Sequence, residues 1–227
     1  MCNLKSNKNL KEMLEYKKQL KDLNFSNCEF ILFPSFVYLS LFYDAKFLLG
    51  SQNISKYKEG SHTGEVLASQ LKSLKVSYTL INHTETHEKH KNIIKKIQNA
   101  TLEKIKVVLC FGEKSENQDA IALLKNDLKE IFNQLEKKEQ LNIILAYEPS
   151  YAINNLNKVN PIKIENIVYQ IKQFILETYS IQIQIVYGGS VNPINFLDLA
   201  KIDKIDGFLL GNSANNPKNI EKIIETI

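Results

Sequence analysis

Seven short apolar runs, each followed by a stretch that reads as helix or turn, recur along the whole chain. They lie at 29–33 (EFILF), 46–49 (KFLL), 77–82 (SYTLIN), 107–111 (VVLCF), 142–147 (NIILAY), 183–187 (IQIVY) and 206–210 (DGFLL). Several are apolar on both faces, which a strand tolerates only when both faces of its sheet are covered. Between them the pattern changes period. "NLKEMLEYKKQLKDL" and "DAIALLKNDLKEIFNQLEKK" carry apolar residues at helical spacing, and "PIKIENIVYQIKQFILETY" opens on Pro161, a favoured first-turn residue. "NPINFLDLA" and "NPKNIEKII" open the same way. Strand–helix alternation repeated this often implies βαβ units and a parallel sheet. With residues 1–4 as a short first strand there are eight repeats, which fit a closed α/β barrel of the (β/α)8 kind. An open doubly wound sheet is the rival. No composition break divides the 227 residues, so 1–227 reads as one domain.

Composition narrows the classes of function. There is no run of eighteen apolar residues and no apolar signal core after Met1, so the reading is a cytoplasmic protein without a membrane span. The net charge is +4, yet every basic residue is Lys and none is Arg. Bidentate readout of bases and phosphates leans on Arg, so no nucleic-acid partner is expected. Cys2, Cys28 and Cys110 are widely spaced and odd in number, which argues against a disulfide framework or a cysteine zinc site.

In a barrel of this kind function gathers at the C-terminal strand ends. Lys5 follows the first strand, "NHTETH" with His83 the fourth, "YEP" with Glu148 the sixth, "YGGS" (187–190) the seventh and "LLGNS" (209–213) the eighth. A carboxylate at a strand end can abstract a carbon-bound proton, and an imidazole can polarise a carbonyl and move protons between adjacent oxygens. A lysine can hold an anion and stabilise enolate charge. "GGS" and "GNS" offer backbone N–H groups at close approach, with helix starts behind them that favour a phosphate. Together they describe proton transfer beside a carbonyl on a small phosphorylated substrate. Three rivals are weighed: a zinc hydrolase built on His83, His87 and His90; another phosphate-binding barrel; and a non-catalytic dimeric relative.

The ordered motifs resemble those of the triosephosphate isomerases over nearly the whole chain. "AYEPSYAI" is similar to the family's "AYEPVWAIGTG", "NHTETH" to "GHSER", "NLKSN" to "NWKMN", and "CFGE" to "C(I/V)GE". "QNIS" and "GSHTGE" resemble "QNVS" and "GAFTGE", and "YGGSV" and "DGFLLGNSA" resemble the two phosphate-cradling segments. The resemblance implies the barrel and an isomerase that needs no cofactor and no metal. It implies Glu148 as base, His83 as electrophile and Lys5 and Asn3 as substrate contacts, with Glu85 in the acidic position of the histidine motif. Ser190, Gly211, Asn212 and the lid residue Asn154 are implied as amide donors to the phosphate, with Gly189 shaping its loop. In this family, itself a standard example of pKa tuning, the imidazole works neutral and lid closure excludes water. The resemblance also implies a homodimer through residues 60–65, with His62 or Thr63 reaching the partner's Asn3 and Lys5. Several positions depart from the pattern: Asn82 and Asn212 replace Gly, Thr86 replaces Arg, Tyr151 replaces Trp, and the lid tip reads Asn154-Asn155-Leu156.

Overall fold

A computed structural model of the chain describes residues 1–115, 120–152, 155 and 160–227. Its strands are β1 (Cys2–Asn3), β2 (Ile31–Phe33), β3 (Leu48–Ser51), β4 (Val76–Ile81), β5 (Lys106–Phe111), β6 (Ile143–Tyr147), β7 (Ile185–Tyr187) and β8 (Gly207–Phe208). They form one parallel sheet in chain order, each strand beside the next. The ring closes where Cys2 bridges Leu210: the Asn3 N–H donates to Leu210 O at 2.8 Å and the Leu210 N–H donates to Met1 O at 2.9 Å. The first strand is short, as expected, yet it is bonded to both neighbours. The fold is a (β/α)8 barrel, not an open sheet.

Period-two alternation sorts the strand side chains into two cores. Ile31 and Phe33, Leu80, Val108 and Cys110, Ile144 and Ala146, Val186 and Leu209 fill the barrel interior. The alternate residues, among them Leu32, Ile81, Leu109, Leu145 and Tyr147, pack outward against helices. The helices are α1 (Leu10–Leu20), α2 (Ala68–Ser73), α3 (His90–Leu102), α4 (Ala120–Phe132), α5 (Lys137–Gln140), α6 (Pro161–Tyr179), α7 (Phe196–Ala200) and α8 (Pro217–Ile224). Local chemistry sets their ends. Asn9 and Glu12 make a capping box for α1, and Asn160 and Asn216 cap α6 and α8 just before a first-turn proline. Along α6 the buried residues Ile164, Ile167, Val168, Ile171 and Ile175 trace one helical face.

Several elements are shorter than expected or shifted, and two of the differences have a clear local cause. The third strand runs two residues further than 46–49, through Gly50 to Ser51. Glycine there is required by the interior: a Cβ on Gly50 would lie 2.1 Å from the Phe33 ring. In "NPINFLDLA" the helix opens at Phe196 and not beside Pro193. The side-chain oxygen of Asn192 accepts from the N–H groups of Ile194 (2.8 Å) and Asn195 (3.3 Å), and that of Asn195 accepts from the Asn192 N–H (2.9 Å). This side-chain turn holds the backbone out of the helix for three residues.

Candidate active site

Interior alternation along β6 passes through Ile144 and Ala146 and arrives at Glu148, at the C-terminal mouth of the barrel. Its backbone is fixed by an N–H bond to Phe111 O at 2.8 Å, and only 2% of the residue is exposed. Two glycines make room for it. A Cβ on Gly112 would lie 2.1 Å from Glu148 O, and one on Gly188 would lie 2.7 Å from Glu148 Cγ. The Cys110 thiol lies below the carboxylate; burial, and then the negative charge of Glu148, push it well above the ordinary thiol range. Cys110 therefore stays a thiol and serves as a packing residue.

His83 reaches the same cavity by another route. Tyr78 and Leu80 of β4 pack with the interior cluster, so strict alternation would send Asn82 inward and His83 outward. Asn82 adopts φ +60, which breaks the alternation. His83 Nε2 then lies 3.3 Å from Glu148 Oε1. On the other side of the ring the Glu85 N–H donates to Nδ1 at 3.3 Å. A nitrogen that accepts carries no proton, so the arrangement selects the tautomer with its hydrogen on Nε2, aimed at the cavity.

Lys5 comes from the loop after β1 at φ +53, a turn stabilised by its N–H bond to Asn3 Oδ1 at 3.0 Å. Its carbonyl accepts from Ser35 Oγ and Gln52 Nε2, both at 2.8 Å, so Gln52 of the "QNIS" motif helps to place it. Lys5 Nζ pairs with Glu85 Oε1 at 2.5 Å. Ser190 lies across the mouth at φ +47, and its Oγ donates to Ala152 O at 2.6 Å. Asn3, Lys5, His83, Glu148, Ser190, Gly211 and Asn212 all line one cavity of about 420 Å³. Of the described residues lining it, Lys5 is the cation and Glu148 the carboxylate. Gly211 packs against Lys5 from the far wall, where a Cβ would come within 3.5 Å of Lys5 Cε. Asn212 opens the 3₁₀ segment Asn212–Asn215 behind it.

Asn154 and the tip residue Leu156 lie outside the described residues. The three histidines of the zinc reading do not converge, because His90 faces Asp127 and Glu130 of α4 at 2.8 Å each. Among the described residues no group of three His, Cys, Asp or Glu side chains is placed to hold a metal. No helix among them is long and apolar enough to cross a membrane. Sequence reasoning placed Gly188 only in the phosphate-cradling "YGGS"; it missed that Gly112 and Gly188 make room for Glu148, and it missed the role of Glu113. That buried carboxylate accepts from the hydroxyls of Tyr147 (3.0 Å) and Tyr151 (3.2 Å), directly beneath the segment after Glu148. Its signal was the acid of "CFGE", one residue beyond the strand-end Gly112.

The family model of triosephosphate isomerase matches residues 1–227. A protein of Listeria monocytogenes named probable triosephosphate isomerase 2 is 32% identical over 217 residues, covering 90% of this chain and 85% of its own. A triosephosphate isomerase of Alkaliphilus oremlandii is 30% identical over 228 residues, covering 93% and 92%. One of Dictyoglomus turgidum is 30% identical over 242, covering 99% and 97%.

Proposed function

The chain belongs to the triosephosphate isomerase family and is an isomerase; from that premise we propose that it interconverts dihydroxyacetone phosphate and D-glyceraldehyde 3-phosphate through an enediolate, in cytoplasmic glycolysis and gluconeogenesis. The observation that carries the mechanism is the 3.3 Å approach of His83 Nε2 to Glu148 Oε1 inside the cavity that Lys5 also lines. A substrate seated between them meets a base on one side and an N–H on the other.

Glu148 takes the proton from the carbon beside the carbonyl, and the C–H electron pair forms the enediolate double bond. His83 donates its Nε2 hydrogen to the carbonyl oxygen, recovers a proton from the neighbouring hydroxyl and returns to its starting tautomer. Glu148 then delivers its proton to the other carbon. Lys5 stabilises the negative oxygen, having exchanged part of its contact with Glu85 for the substrate. Asn3 assists by fixing Lys5. The backbone amides around Ser190, Gly211 and Asn212 receive the phosphate, and Asn154 contributes from the lid. Pro149, with its φ near −65°, stiffens the lid's first hinge. The chemistry is complete without cofactor or metal. A coupled assay that follows consumption of D-glyceraldehyde 3-phosphate tests the reading: turnover is expected in purified protein stripped by chelation. Protein that leaves the triose phosphate unconverted overturns it.

The working unit in this reading is a homodimer. Residues 60–65 project from the body on a loop whose base is closed by the Ser55 N–H bond to Val66 O at 2.9 Å. The loop turns at Gly60 (φ +105) and Gly64 (φ +90), and His62 stacks on Tyr57 with ring centroids 3.5 Å apart. An exposed loop of this kind suits insertion into a second copy, where His62 or Thr63 would meet Asn3 and Lys5. Sedimentation at micromolar concentration should give twice the 26.1 kDa chain mass. A fully active monomer would refute the dimer.

A further inference from the structure

The segment from Asn82 to Glu88 carries His83 at its start and is closed on itself by a reciprocal pair of contacts. The Glu88 N–H donates to Asn82 Oδ1 at 3.0 Å, and the Asn82 N–H points back to Glu88 Oε1 at 3.4 Å. The second oxygen of Glu88 is paired with Lys96 of α3; both side chains are only 10% exposed. Lys96 Nζ also donates to Asn53 Oδ1, on the loop after β3, at 2.8 Å. The amide of Asn82 meanwhile donates to Cys110 O, on the neighbouring strand β5, at 3.1 Å. One side chain therefore ties the loop shut and fastens it to the wall of the barrel.

Two features show what this closure holds in place. Asn82 and His87, at φ +60 and φ +44, are both non-glycine residues in the left-handed region. Asn and His both enter that region more readily than most residues, so the loop takes these two turns at small cost. Between them the N–H and the hydroxyl of Thr86 both donate to His83 O, at 2.7 and 2.8 Å, in the turn that presents the Glu85 N–H to His83 Nδ1. That last contact is long at 3.3 Å, and it selects the imidazole tautomer. A loop free to swing would lose it first.

We propose that Asn82 is a positioning residue for the isomerisation: its side-chain amide, by closing the 82–88 loop and anchoring it to Cys110 O, holds His83 in the tautomer and orientation that face Glu148. The proposal rests on the isomerase reading given above. Asn82 does not touch the cavity where substrate sits, so its loss falls on the chemical step and not on binding.

The test is Asn82→Gly, which keeps the left-handed backbone available and removes both side-chain bonds. Lys104→Gly is the control, since Lys104 also sits at φ +55 but lies far from the site at the end of α3. The expected result is a kcat about tenfold lower with KM within about twofold, part of the roughly 10²-fold that a misplacement of about 1 Å can cost. The ¹⁵N signals of the His83 ring should move from one dominant tautomer towards an average of two. Lys104→Gly should match the parent in both. A kcat equal to the parent's, or a reduced kcat with unchanged His83 nitrogen signals, overturns the proposal. If Asn82→Gly is not recovered folded, Asn82→Asp is read the same way. It keeps the acceptor for the Glu88 N–H, replaces the donation to Cys110 O by oxygen–oxygen repulsion and adds a negative charge beside Glu88, so a shift in the same direction and of at least the same size is expected. Should the parent protein lack isomerase activity, the functional reading falls, and the nitrogen signals of parent and variant alone decide the role of Asn82.

Discussion

Shortening Glu148 by one methylene, in Glu148→Asp, is expected to lower kcat at least about 10²-fold while KM changes little. The carboxylate would withdraw by about 1 Å, and a misplacement of that size can cost about that much. The surroundings leave it no way to compensate. The Glu148 backbone is bonded to Phe111 O, and Gly112 and Gly188 are already in contact with it on either side. A shorter side chain therefore cannot be carried forward by a shift of the strand end. In the proposed mechanism the phosphate is held across the cavity, at Ser190 and Gly211, which line it, so ground-state binding should survive. Steady-state rates in both directions decide the matter; an Asp variant with the parent's kcat would end the assignment of Glu148 as base.

The second large effect belongs to His83→Gln. Glutamine can still place an N–H near Glu148, but it cannot release and recover a proton. Loss of a general acid–base group costs typically about 10²- to 10⁴-fold, and kcat should fall within that range. KM should stay within a few-fold, because in the proposed mechanism His83 serves the reacting oxygens and not the phosphate end of the cavity. His83 is nearly buried, at 6% exposure, so the fold must be checked by thermal melting before the rates are compared. A Gln variant that turns over at the parent's rate would show that the 3.3 Å approach of the imidazole to Glu148 is packing alone.

The two side chains were legible in the sequence to different degrees, and the reason is physical. Glu148 continues the two-residue period of Ile144 and Ala146, so a reader who places that strand in a barrel also places its carboxylate inside. His83 cannot be found that way. It enters the cavity because Asn82 leaves the strand region, and its place was read from the order of motifs and not from periodicity. The helix-period pattern of 161–179 coincides with α6 to the residue, since Asn160 and Pro161 mark its start unambiguously. "NPINFLDLA" offers the same dipeptide and yields a side-chain turn instead, because Asn192 and Asn195 bond each other's backbone. The third strand was placed too early for a related reason. Gly50 looks like the end of a run when only its own neighbours are considered, and its need becomes visible once Phe33 is known to lie against it.

That last contact has a consequence for how this sequence can drift over generations. With the Phe33 ring occupying the space where a side chain at 50 would begin, the two positions share one volume inside a wall packed to crystal density. Neither can be read as an independent letter. A larger residue at 50 is admissible only alongside a smaller one at 33, and a shrunken 33 leaves a void until 50 grows to meet it. Across diverging copies the pair should therefore change hands together, conserving its summed volume while each letter alone looks free to vary.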